Sequence, residues 1–167
     1  MLSQVTAKHH ADCELSLYAV RSVSRPKGLI SRSRRTIPGM TFSTRSTSAN
    51  LGAGFDVLGL ALDLYAEVGV LDGDEADHTP DGAQPADAHH IADIAYRRLG
   101  GTGRLWVRSP IPMGRGLGYS GAVRVGGAAL AAIQRDGELT AAGRTDVFES
   151  TAELEHHPDN VSASVYG

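Results

Sequence analysis

The stretch PIPMGRGLGYSGAVRVGGAAL, Pro110 to Leu130, constrains this chain more than any other. A proline-interrupted approach leads through a glycine loop into residues 120–136, SGAVRVGGAALAAIQRD, which read as a buried helix of small side chains. Gly116, Gly118 and Gly121 spell G-x-G-x-x-G, the dinucleotide fingerprint. That fingerprint needs a buried strand running directly into its first glycine and an acid closing the next strand. Pro110 and Pro112 break the approach, and proline cannot donate within a sheet ladder. Asp136 sits where the helix ends, with no β-branched strand before it. The same letters also read P-x-x-x-G-L-G-x-S, a phosphate loop of another kind. Its glycines let main-chain amides approach an anion, and Ser120 opens a helix whose first N–H groups are unpaired and whose dipole favours negative charge. Taken alone, the loop leaves open a third reading, a glycine turn that only packs a helix on a sheet.

Around the loop, hydrophobic periodicity organises residues 40–167. MTFSTRST (40–47) and DLYAEVGVLD (63–72) alternate as strands, as does GRLWVRS (103–109). SANLGAGFDVLGLAL is too glycine-punctuated to be one element. Residues 72–87 are acidic and rich in turn formers, hence a loop. Ile91, Ile94, Ala95 and Leu99 recur at helical spacing, with Asp87 as the expected cap and Gly100 as the stop. Residues 140–157 read as a more polar helix, capped by Thr140 and stopped by Pro158. NVSASVYG (160–167) reads as the beginning of a strand.

Composition sets the boundaries of function. The 167 residues are 41% hydrophobic and 21% charged, enough for one globular domain with an aliphatic core. The lone cysteine, Cys13, excludes an internal disulfide and fits a reducing, cytoplasmic setting. No apolar run approaches the roughly 20 residues that span a bilayer. The net charge of −3 conceals a basic segment, residues 1–39, with seven Lys/Arg against two Asp/Glu. Its Ser- and Arg-rich, aperiodic sequence is expected to be a disordered arm or an upstream-extended start ahead of Met40. The acidic remainder is a poor partner for nucleic acid, and no membrane partner is expected; a phosphorylated ligand there needs local backbone donors.

Two further stretches, STSANLGAGFDVLGLALDLY (46–65) and ELEHHPDNVSASVYG (153–167), join the loop in one pattern. Together they resemble the three N-terminal motifs of the GHMP kinases and, within that superfamily, most resemble those of homoserine kinases. Their forms there are P-x-S-S-A-N-L-G-x-G-F-D, P-x-x-x-G-L-G-S-S-A and E-G-H-P-D-N-V. The resemblance covers about residues 41–167 and implies an α+β fold: a mixed sheet with helices on one side. It implies ATP held by Pro112, Gly114, Arg115, Gly116, Leu117, Gly118, Ser120 and Gly121. Magnesium is expected at Ser120 and an upstream carboxylate, Glu153 ahead of Glu155 or Glu149. The resemblance places Asn50 and Asp56 at the amino end of the substrate, and His157, Asp159 and Asn160 near the reacting hydroxyl. His89 and His90 fall in the region that flanks adenine in the family. The implied reaction is phosphorylation of L-homoserine to O-phosphohomoserine, a threonine precursor. A related small alcohol as substrate, and a non-catalytic nucleotide-binding remnant, are the alternatives. Three departures stand out: Tyr119 for the first serine of G-L-G-S-S, Gly121 for the alanine that follows, and His156 for the glycine of E-G-H. Residues 40–167 would form the N-terminal ATP-binding domain alone. An apolar face would then await an absent C-terminal domain or a second copy.

Overall fold

The computed structural model describes residues 39–49, 59–71 and 79–167. Four strands and four helices follow in the order β1 (Thr41–Ala49), β2 (Gly59–Leu71), β3 (Gln84–Ala86), α1 (Ile91–Arg98), β4 (Arg104–Arg108), α2 (Tyr119–Asp136), α3 (Ala141–Glu155) and α4 (Pro158–Tyr166). The strands form one sheet in the order β1-β2-β4-β3. The α+β architecture is as expected; the mixed sheet is not, since every pairing among the described residues is antiparallel. Between β1 and β2 the register slips. Arg45 faces Tyr65, yet Thr47, two residues on, faces Ala61. The extra β2 residues bend the pair just before the stretch 50–58, which lies outside the described residues together with Asn50 and Asp56.

Helix α2 is the centre of the domain. From Val125 to Ala132 every residue is buried, because the helix meets the sheet on one side and α1, α3 and α4 around it. Gly126 and Gly127 make that depth feasible. A β-carbon on Gly126 would stand 2.7 Å from Val68 Cγ2, and one on Gly127 would stand 2.2 Å from the carbonyl oxygen of Ala92. The alanine–glycine composition is therefore a demand of close packing on two sides. Val68, Val70, Leu105 and Val107 supply the sheet's share of the core, with Leu130, Val147 and Val161 across from them.

Helix ends follow their local chemistry, with two corrections to expectation. Thr140 caps α3 by accepting from Gly143 N–H at 3.0 Å, as its sequence position suggests. Helix α1 is capped by His90, whose Nδ1 accepts from Ala92 N–H at 3.2 Å. Asp87, the expected cap, instead accepts from His89 N–H in the turn before it. The larger correction concerns residues 158–166. The alternation of Val161, Ser162, Ala163, Ser164 and Val165 suggests a strand, but these residues form α4. Pro158 occupies the first helical turn, where its missing N–H costs nothing, so it starts a helix as well as following one. The three-residue β3 likewise falls inside the expected loop 72–87.

Candidate active site

Strand β4 ends at Arg108, and the chain is pinned at Ile111, which is 3% exposed, before it emerges as the glycine loop. Gly114, Gly116 and Gly118 have φ of +71°, +70° and +64°, while Arg115 and Leu117 between them do not have positive φ. Left-handed residues alternating with ordinary ones turn successive N–H groups toward one side and form an anion-binding concavity. Gly118 is the N-cap of α2, with no side-chain hydrogen bond closing the helix end.

The loop is fastened through its carbonyls. Leu117 O accepts from Thr47 N–H at 3.4 Å and from Ser46 Oγ at 2.6 Å, and Gly118 O accepts from Ala122 N–H. Among the described residues, no N–H from Gly116 to Ser120 donates to a main-chain carbonyl outside the helix ladder. The donors of the loop and of the first turn of α2 are thus left for something else. Tyr119, which stands where the family has serine, is partly buried against the core, and that burial raises its hydroxyl pKa. Its ring is therefore taken up in packing. Arg115, Gly116 and Gly114 are exposed; Ser120 is half-buried at the start of the helix.

The H-P-D-N stretch meets the loop directly. A β-carbon on Gly121 would lie 3.6 Å from Asn160 Cβ and 3.9 Å from the nitrogen of Val161. Gly121 is the third residue of α2 and Asn160 the third of α4, so two helix N-termini stand side by side. Their dipoles add at one place. Asn160 Oδ1 accepts a hydrogen bond from Thr47 Oγ1 at 2.9 Å. Asp159 is buried; its Oδ1 accepts from Asn160 N–H at 2.8 Å, and its Oδ2 has no hydrogen-bond partner. His157 is exposed and extended at the N-cap of α4. His156 takes the left-handed conformation, φ +60°, at the C-cap of α3. A left-handed backbone there suits the glycine of the E-G-H pattern that the sequence resembles, since glycine has no β-carbon to strain.

The candidate carboxylates occupy different settings. Glu153 is exposed and paired with Arg98 of α1. Glu149 is also exposed. Glu155 is drawn inward to Arg124 Nη1 at 2.6 Å, with both side chains mostly buried. Arg124 lies one helical turn after Ser120. The two histidines near α1 divide: His90 serves as the cap, and burial lowers its pKa against the pull of Asp87 and Asp93. A separate cavity of about 280 Å³, lined by Phe42, Arg45, Tyr65, Val147 and Tyr166 among others, lies at the far end of α4 and includes no loop residue.

Ser46, Thr47 and Arg124 also take part, though none of the three is among the expected site residues. Ser46 and Thr47 are fully buried hydroxyls at the end of β1, and buried hydroxyls need partners. Their signal in the sequence is only the polarity of STRSTS in a strand. Arg124 is a charge among small, apolar residues in the buried first half of α2, which is the signal that it must be paired.

With this geometry in place, the comparisons fall into line. Residues 87–167 match the family described as GHMP kinases N terminal domain. A homoserine kinase of Thermus thermophilus is 42% identical over 130 residues, covering 73% of this chain and 44% of that protein. A homoserine kinase of Rhodococcus opacus is 38% identical over 156 residues, covering 80% and 48%. A solved structure from Listeria monocytogenes, described as a homoserine kinase, superposes with a TM-score of 0.58 at 32% identity, covering 73% of this chain and 45% of that one. The chain spans less than half the length of these relatives. Residues 87–167, which hold the glycine loop and the H-P-D-N helix, thus resemble the N-terminal domain of the GHMP kinases in sequence, and the fold resembles that of a homoserine kinase.

Proposed function

We propose that this chain is the ATP-binding portion of a kinase that transfers the γ-phosphoryl group of ATP to the side-chain hydroxyl of L-homoserine. The observation that carries the proposal is the meeting of two helix N-termini, at Gly121 and Asn160, beside a loop whose N–H groups have no main-chain acceptor outside the helix ladder among the described residues. Such a place favours a polyanion without any surplus of basic side chains. That matters in a chain whose net charge is −3.

In this proposal Gly116–Ser120 supply main-chain donors to the phosphates, and the exposed Arg115 adds positive charge at the rim. The oxygen donors nearby suit Mg²⁺: the Ser120 hydroxyl and the Glu155 carboxylate, the latter held inward while Glu153 is exposed and paired with Arg98. No group of three or more His, Cys, Asp or Glu among the described residues could hold a metal. A magnesium ion here would take one or two protein ligands and the rest from phosphate and water. Bound there, magnesium would neutralise charge on the phosphates. Asn160 offers N–H donors to the acceptor oxygen, and Asp159 fixes the backbone that carries it. His157, exposed at the same helix start, flanks the acceptor. Asn50 and Asp56 are proposed to bind the amino end of the substrate. Phosphoryl transfer depends chiefly on alignment and charge stabilisation, so no strong base is required.

Titration calorimetry of the chain with ATP, with and without magnesium, tests the site; magnesium-dependent binding is the expected result, and none at millimolar ATP overturns the proposal. A turnover panel of homoserine, mevalonate and shikimate then tests the substrate. Turnover of homoserine alone is expected, and preference for another alcohol corrects the assignment. Binding without turnover of any of the three would mark a nucleotide-binding piece.

A further inference from the structure

Thr47 touches both halves of the site. Its main-chain N–H donates to Leu117 O at 3.4 Å, its side chain closes over Gly118, and its Oγ1 donates to Asn160 Oδ1 at 2.9 Å. A β-carbon on Gly118 would lie 2.2 Å from Thr47 Oγ1 and 2.7 Å from Thr47 O, so loop and strand are in van der Waals contact with no slack. Ser46 reinforces the join through its own bond to Leu117 O. Thr47 is 0% exposed, so no water competes for its hydroxyl.

The hydrogen-bond inventory gives this arrangement a chemical consequence. A threonine hydroxyl has one O–H to donate. Spent on Asn160 Oδ1, it fixes the carboxamide in one of two orientations and turns both Nδ2 hydrogens away from Thr47. We infer that Thr47 is a positioning residue, which aims the amide donors of Asn160 and ties that aim to the seating of the glycine loop. Because the same residue holds Leu117 through its main-chain N–H, a displacement of the loop by bound phosphate is transmitted to Asn160 through Thr47. This rests on the nucleotide-binding reading of the loop only for its second part; the orientation of Asn160 stands on the unliganded geometry.

The test is a set of proton–nitrogen correlation spectra of the ¹⁵N-labelled chain, read at the side-chain amide of Asn160. That pair is identified by its loss in Asn160→Asp. In Thr47→Val, which keeps the shape and removes the donor, the Asn160 pair shifts and its hydrogens exchange faster with solvent. In Thr47→Ser, which keeps the hydroxyl, the pair stays near its original position. Magnesium and ATP then move the pair in the parent chain and in Thr47→Ser, and move it less in Thr47→Val, where only the direct effect of the ligand on Asn160 remains. An Asn160 pair indifferent to the loss of the hydroxyl overturns the inference, whatever ATP does. If ATP moves no resonance from Gly116 to Ser120, the function proposed for the loop fails, while the comparison without ligand still decides the orientation. Should Thr47→Val lose the dispersed spectrum of a folded chain, Thr47→Ala supplies the same comparison. A dispersed Thr47→Ala spectrum with an unshifted Asn160 pair is equally fatal.

Discussion

Gly118 is closed against Thr47: a β-carbon at Gly118 would lie 2.2 Å from the Thr47 hydroxyl, and the residue already has φ of +64°. Gly116, two residues earlier, shares the left-handed backbone at φ +70° but has nothing within 4 Å of such a carbon. The pair separates strain from collision. Gly116→Ala is expected to cost about 1–2 kcal/mol, the penalty of left-handed backbone for a residue with a side chain. Gly118→Ala adds overpacking of about 1–3 kcal/mol to that strain and displaces the anchor of the loop. Urea unfolding of both variants checks the ranking. Equal losses would mean that Thr47 yields and that the contact is soft.

His156 poses the reverse case. It holds φ +60° at the C-cap of α3 with an exposed side chain, so it bears the left-handed strain without an observed compensating hydrogen bond from that side chain. His156→Gly is expected to stabilise the chain by about 1 kcal/mol, which thermal or denaturant unfolding would register. The departure from the family pattern is then a tolerated cost and not a new ligand. Destabilisation by His156→Gly would show that the imidazole makes an interaction worth more than the strain.

The parts of the fold that the sequence reveals are those where local and tertiary demands agree. Val68 and Val70 alternate with Glu67 and Gly69 because one face of β2 is core, and the periodicity is visible. Thr140 is a cap in sequence and in space. Residues 160–167 mislead because Val161, Val165 and Tyr166 favour strands, and the intervening serines mimic alternation; packing of α4 against α2 and β1 overrides that preference. Pro158 was legible only as a stop, since the distinction between ending one helix and starting the next depends on where the chain turns, here at His156. At the site, the glycine loop and Asn160 are carried by motif spacing. Thr47 lies within the first motif stretch, but its contact with Asn160 joins residues 113 positions apart, and no local pattern encodes that contact.

His90 makes stability depend on pH. Its Nδ1 accepts from Ala92 N–H, which requires the unprotonated ring, and burial lowers its pKa below the usual 6.5. The unfolded chain therefore binds a proton more readily than the folded one. Stability contributed by the neutral cap is fully present above the unfolded pKa and is lost as pH falls through 6.5 toward the lower folded value. His90→Asn keeps a capping acceptor and removes the titration. The expected outcome is a flatter unfolding free energy between neutral and mildly acidic pH than in the parent chain. Identical slopes would show that the cap is not the source of the pH dependence.

The carboxylates of α3 give the most direct test of how the site handles metal. Glu153 is the choice by sequence position, but it is exposed and paired with Arg98 on α1, and an exposed pair of that kind adds little stability. Glu155 is mostly buried against Arg124, one helical turn from Ser120. If Glu155 is the magnesium ligand, binding must draw it from Arg124 or share it, and Arg124 then sets its position as an outer partner. Glu155→Gln is expected to weaken ATP binding in magnesium about tenfold, or ~1.4 kcal/mol, and to leave the weaker binding without metal nearly unchanged. Arg124→Met, which frees the carboxylate but leaves it buried and unpaired, should cost stability of about 1–3 kcal/mol. Glu153→Gln should leave both titrations within error of the parent chain. Calorimetry of the three variants, each with and without magnesium, decides between the carboxylates: loss of the magnesium effect in Glu153→Gln with retention in Glu155→Gln would return the metal to the position that spacing alone favours. It would also require Arg98 to release its partner on binding.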